Sequence, residues 1–234
     1  MTIGVTYGAG AGRRRLGEGG HGCGNGTPPA DPRTIVAEKR RPVSRPGGRL
    51  RDSLDRLIAA SSLVPDAPVL DVRDFAWTAT LRQDWRAIRD EALARTDRSG
   101  DVLLWRRGDP VIEQLAGAPR TTAALAAVPR LYDAAFAVLP PGAHVAAKRG
   151  ASKALVTCDL ALSVPRDGDA RMRLGDRTLR WAEGETLVFD DTRDHELWNG
   201  GGSARIVLRL RFARPLRQPG RWVAGLVLRY LGGA

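Results

Sequence analysis

A chain of 234 residues can bury one substantial core, or one domain of about 150–200 residues with a tail. Its 43% hydrophobic and 27% charged content is that of a globular protein and excludes a fibrous or wholly disordered one. The net charge of +11 favours anionic partners, but the arginines that carry it are scattered, with no zinc-finger spacing and no basic stripe interleaved with aromatics, so nucleic acid is not the expected partner.

Residues 1–50 are crowded with glycine and proline and have few large apolar side chains, so a disordered tail is expected. Its glycines do not form a phosphate loop, because no GxxxxGK[ST] is present. His21 and Cys23 offer only two donors for a metal. No apolar run follows the RRR at 13–15, so no Sec-type signal is expected. The two cysteines, Cys23 and Cys158, allow no disulfide framework. Reduced thiols and a cytoplasmic location are expected.

Residues 51–67 read as a linker or short helix, and the folded domain spans 68–215. TATLRQDWRAIRDEALAR (78–95) places Leu81, Trp85, Ile88 and Leu93 at helical spacing, predicting one amphipathic helix. RTTAALAAVP (120–129) predicts a short helix with Thr121 or Thr122 as N-cap and Pro129 past its end. The period then changes. LYDAAFAVLPPG (131–142), KALVTCDLALSVP (153–165), ARMRLG (170–175), RTLRWAEG (177–184), ETLVFDD (185–191), HELWN (195–199) and ARIVLRLRFARP (204–215) are short segments bounded by turn residues. Gly175-Asp176 predicts a hairpin turn. Segments of this length and spacing predict a β-sandwich or barrel. RWVAGLVLRYLGGA predicts a C-terminal amphipathic helix over 216–234, with Trp222, Val223, Leu226, Val227, Tyr230 and Leu231 on one face. It either packs on the barrel or, through 221–234, contacts a membrane surface.

FDDTRDHELWN (189–199) sets one histidine, His195, among Asp190, Asp191, Asp194 and Glu196. The block W-x-E-G-x-x-L-x-F-D-D-x-x-x-H-E-x-W-N, together with the 78–95 helix, PRTTAALAAVPRLYDAAFAVLPPG and ARIVLRLRFARP, resembles the aspartyl/asparaginyl β-hydroxylase family, including its bacterial lipid A hydroxylase relatives. The resemblance covers roughly 70–215. It implies a mainly β fold with flanking helices, a double-stranded β-helix or cupin-like jelly roll. It also implies descent from dioxygenases that use Fe(II) and 2-oxoglutarate to hydroxylate a protein side chain or a lipid acyl chain. On this resemblance His195 matches the second iron-binding histidine and Arg205 the arginine that takes the distal carboxylate of 2-oxoglutarate. Asp190, Asp191 and Glu196 are expected to support the metal ligand from behind.

The departures are as informative. The family's PG-x-x-x-x-P-H-x-G is PGAHVAAKRG here, so Lys148 stands where the first iron ligand is expected. An ammonium cannot coordinate a metal unless it loses its proton. Ala137 replaces a serine, and Thr157-Cys158-Asp159 replaces the family's R-x-H. His144 is two strand repeats from Lys148, ~13 Å at ~3.3 Å per residue, too far to substitute without a register shift. Asp159 is a candidate second ligand beside His195. Alternatively, Lys148 and Asp159 are expected to neutralise each other inside the barrel. Three readings follow: an active dioxygenase, a non-catalytic relative that uses the barrel to bind an anion or a partner, and a form that works at a lipid surface.

Overall fold

The computed structural model describes residues 48–96 and 100–232. The expected tail lies almost wholly outside them. The described residues belong to one compact unit, Ser44–Ala234. The architecture is mainly β with flanking helices, a cupin-like double-stranded β-helix. Helix α1 (Gly48–Ala60) leads into a two-residue strand β1 (Val69–Leu70), followed by α2 (Thr78–Gln83) and α3 (Trp85–Thr96). After these come β2 (Val102–Arg106), β3 (Asp109–Pro110), α4 (Ile112–Leu115) and α5 (Pro119–Ala126). The barrel strands proper are β4 (Leu131–Leu139), β5 (His144–Lys148), β6 (Leu155–Ser163), β7 (Ala170–Leu174), β8 (Arg177–Arg180), β9 (Thr186–Phe189), β10 (His195–Asn199) and β11 (Arg205–Ala213). Helix α6 (Gly220–Gly232) closes the chain.

The seven-stranded sheet runs β1-β9-β6-β11-β4-β2-β3, and the four-stranded sheet runs β5-β10-β7-β8. Strand alternation assigns the faces. Cys158, Leu160, Leu208, Leu210 and Phe136 point from the large sheet into a core shared with Leu81 and Ile88 of α2 and α3. Ala137, Ala161, Phe189 and Val207 point the other way and meet Met172, Leu174 and Leu197 of the small sheet. Because β6 and β11 are covered on both sides, they read as nearly continuous apolar runs. The charged side chains that do face the barrel interior therefore stand out.

Four sequence expectations change. The single helix over 78–95 is two helices, parted at Asp84, which leaves helical geometry (φ −94°, ψ 7°). Leu93 is exposed, and the stripe that packs is Ile88 and Ala92. The short helix starts earlier, with Pro119 in its first turn, and its N-cap is supplied from another element. Glu91 of α3 accepts hydrogen bonds from the Arg120 and Thr121 amides and from Thr121 Oγ1, at 2.9, 2.8 and 2.6 Å. Strands β1, β2 and β3 are additional to the expected set. Finally, α6 splits its apolar residues between two faces. Val223 and Ala224 are buried against Ile58 of α1, while Trp222, Leu226 and Tyr230 are exposed. The hairpin at Gly175-Asp176 joins β7 to β8, with Gly175 at φ 60°, where a Cβ is disfavoured.

Candidate functional site

A cleft of about 610 Å³ opens at one end of the barrel. His195 reaches it from β10, Lys148 from the end of β5 and Asp191 from the turn after β9. Arg209 and Arg211 enter from β11, and Arg106 and Arg107 from the β2–β3 turn. Arg209 and Arg211 share strand parity with Arg205 and Val207, so all four point to the interior face. Six cationic side chains (Arg106, Arg107, Lys148, Arg149, Arg209 and Arg211) line the cleft, against the carboxylates of Asp133 and Asp191.

Lys148 is the direct cross-strand partner of His195. Opposed residues on an antiparallel pair hold their Cβ atoms about 4.5–5.5 Å apart, so the two side chains start side by side, Lys148 exposed at the cleft mouth and His195 buried. One residue further along, a bulge sets Ala146 and Ala147 against Glu196 alone, and the parity of β5 reverses. His144 therefore faces the outer surface. It stacks on Trp198 at 5.2 Å and bonds to the Glu196 carboxylate at 2.7 Å. It cannot serve the cleft. His195 is 6% exposed, and its Nδ1 lies 3.1 Å from the Arg193 carbonyl. A carbonyl only accepts, so Nδ1 is the donor of this pair.

The acids of FDDTRDHELWN part company. Asp190 turns toward the helical side, where it is fully buried and accepts from Arg214 Nη2 at 2.7 Å, Lys153 Nζ at 3.0 Å and the Thr192 amide at 3.0 Å. Burial opposes its ionisation, but Arg214 and these donors win and hold its carboxyl below the usual range. It ties β9 to the start of β6 and the end of β11. Glu196 points outward to Arg173 and His144, and Asp194 pairs with Arg149 at the rim. The expected support of His195 by Asp190 and Glu196 is thus corrected: alternation along β10 turns Glu196 outward, and Asp190, just past β9, is taken by Arg214 and Lys153. Only Asp191 shares the cleft. Its Oδ2 accepts from Thr157 Oγ1 at 3.0 Å, and burial raises its carboxyl above the ordinary value.

Asp159 lies deeper and is fully buried. Arg209 grips both of its oxygens, with Nε and Nη2 each at 2.8 Å, and Arg205 Nη1 stands 4.0 Å away. The expected Lys148–Asp159 pair is therefore not formed. Arg209 is the cross-strand partner of Asp159 and reaches it first with a planar fork. Burial disfavours the Asp159 anion, but Arg209 and then Arg205 outweigh it, and the carboxyl is held below its ordinary value. Arg205 is itself 2% exposed, with its guanidinium 4.3 Å from the centre of the Trp181 ring. Burial lowers its pKa to about 10, so it stays cationic at neutral pH. Its Nε and Nη1 have no hydrogen-bond partner.

The family model described as Aspartyl/Asparaginyl beta-hydroxylase matches residues 82–215. The chain belongs to this family. It is 31% identical to the ornithine lipid ester-linked acyl 2-hydroxylase of Rhizobium tropici, over 83% of this chain and 80% of that protein. It is 29% identical to the human aspartyl/asparaginyl beta-hydroxylase over 55% of its own length, a match that spans 20% of the human protein. Among solved structures, the DMSP lyase DddQ of Ruegeria pomeroyi overlaps 51% of this chain and 49% of its own, at 14% identity and a TM-score of 0.34.

The family's Fe(II) and 2-oxoglutarate can be tested against these side chains. For iron the donors do not fit. His195 offers one imidazole, the position opposite it is an amine, and Asp159 has both oxygens committed to Arg209. Among the described residues no group of three His, Cys, Asp or Glu side chains comes together to hold a metal. For an anion the cleft is better matched, since Arg106, Arg107, Lys148, Arg149, Arg209 and Arg211 line it; Arg205, the expected 2-oxoglutarate arginine, is buried against Trp181 and is not among the lining residues. Sequence reasoning reached His195, Lys148, Asp191 and Arg205 but missed Arg209, Arg211 and Asp133. The available signal was ARIVLRLRFARP, where Arg205, Arg209 and Arg211 share one parity on an otherwise apolar strand.

Proposed function

We propose that this hydroxylase-family barrel binds an anionic ligand in its cleft and holds no resident iron. One observation carries the reading: the residue opposite His195 is Lys148, and the buried carboxylate of Asp159 is already bound by Arg209. A cation beside His195 repels a divalent metal and attracts a carboxylate or phosphate. Arg209 and Arg211 are oriented by Asp159 and Asp133, and forks fixed this way recognise planar or tetrahedral oxyanions. Asp191 shares the cleft, where burial raises its carboxyl above the ordinary value and Thr157 Oγ1 donates to it, which tempers its repulsion of an anion. A cytoplasmic location belongs to the same reading.

The test is a metal titration of the full chain beside Lys148→His. The native protein is expected to bind Co(II) weakly, and the variant at least about tenfold more tightly, because a second neutral imidazole then faces the first. Native protein that holds one Fe(II) and converts 2-oxoglutarate to succinate overturns the reading. That outcome would support an active dioxygenase acting on a protein side chain or a lipid acyl chain. The similarity to the Rhizobium tropici acyl hydroxylase over most of this chain favours the lipid within that second reading.

A further inference from the structure

We infer that α1 and α6 form a docking face for an anionic lipid bilayer. Nine large apolar side chains are exposed among the described residues, and five of them lie on these two helices: Leu50, Leu57, Trp222, Leu226 and Tyr230. Trp222, Leu226 and Tyr230 follow one another at four-residue intervals, so they line one outward stripe of α6, and Trp222 and Tyr230 are 64% and 80% exposed. The opposite side of the helix is already satisfied: Val223 and Ala224 pack on Ile58, with Leu54, Val227 and Leu228 around them. The two helices meet closely at Gly220, where a Cβ would stand 2.3 Å from that of Ser61. The outward stripe is thus held on a fixed two-helix platform.

Charge selects the occupant. No acidic residue occurs after Glu196 in the sequence, and Arg217, Arg221 and Arg229 are exposed on and beside α6, so the positive charge is on the α6 side; α1 balances Arg51 and Arg56 against Asp52 and Asp55. Trp and Tyr with flanking arginines are the side chains that seat a helix at the boundary between headgroups and acyl chains. The helix is too short and too basic to cross the bilayer: among the described residues no helix is long and apolar enough to do so. It lies on the surface.

The platform also borders the cleft. Tyr132, which lines the cleft, donates to the Leu228 carbonyl of α6 at 3.5 Å. Arg51 of α1 donates to the carbonyl of Gly150, another cleft residue, at 2.7 Å. A docked protein therefore holds the cationic cleft beside the headgroups. That consequence rests on the anion-binding reading above, while docking itself does not.

The experiment is sedimentation of the full chain with phosphatidylcholine vesicles, with and without phosphatidylglycerol. Three forms are compared: native, Trp222→Ser/Leu226→Ser/Tyr230→Ser, and Lys148→Glu. Native protein is expected to sediment with the anionic vesicles and to be released by salt. The triple variant, whose changes are all at exposed positions, is expected to bind at least about tenfold more weakly. Lys148→Glu is expected to keep vesicle binding while losing affinity for inorganic phosphate, which separates the face from the cleft. Native protein that ignores anionic vesicles, or a triple variant that binds them equally, overturns the inference. So does a triple variant whose only change is conversion of a dimer to a monomer in ultracentrifugation, since the face then joins two copies of this chain.

Discussion

Replacing Asp159 by Asn tests the charge cluster inside the barrel. The carboxylate is fully buried and receives two hydrogen bonds of 2.8 Å from Arg209, with Arg205 4.0 Å away. Asn keeps the shape and one acceptor but removes the charge. The side chains of Arg205 and Arg209, 3% and 26% exposed, then face each other without a counter-ion. Breaking a buried pair from one side costs about 3–5 kcal/mol. In a domain of this size that lowers Tm by about 6–20 °C, at roughly 2–4 °C per kcal/mol. The sign with pH follows from the shift. Asp159 titrates lower in the folded chain than in the unfolded one, so its contribution is present above the unfolded value of about 3.9 and fades as pH falls through the folded value. The gap between native and Asp159→Asn should be constant from about pH 5 to 8 and narrow only below about 4. Guanidinium unfolding followed by tryptophan fluorescence measures it. Asp159→Leu combined with Arg205→Met and Arg209→Met should recover much of the loss, because no member of the buried charge cluster is then left unpaired. A loss under about 1 kcal/mol at pH 7, or a gap that closes between about pH 5 and 7, would show that the cluster is not the stabilising unit described here.

Glu91→Ala removes the acceptor for two amides and one hydroxyl at the start of α5 and is expected to cost about 1–2 kcal/mol, with Glu91→Gln losing less; unchanged chemical denaturation of both would discount the inter-helix cap. Cys158 is a free thiol that burial, reinforced by the neighbouring Asp159, pushes well above its ordinary pKa. In a Cys23→Ser background it is expected to resist iodoacetamide until the chain unfolds, and fast alkylation of native protein with unchanged circular dichroism would contradict its burial.

What the sequence determined by itself is local and periodic. Short segments bounded by turn residues marked β4, β6 and β11, and Gly175-Asp176 marked a hairpin, because a turn depends on only a few residues. The family-specific block around His195 was legible for the same reason, and so was the substitution at Lys148. Tertiary structure decided what each charge meets. Asp159 was within reach of Lys148 on sequence grounds, but the β6–β11 register sets it opposite Arg209. His144 shared the parity of Lys148 until the β5 bulge turned it outward, and a bulge exists only relative to a partner strand. Asp190 and Glu196 flank the histidine's neighbourhood in sequence, yet they serve opposite outer faces of the barrel. The apolar residues of α6 were plain in the sequence, but which of them face α1 depends on the closeness that Gly220 permits against Ser61. Pairing between distant strands and packing between distant helices are many-residue properties, and no short window of this chain contains them.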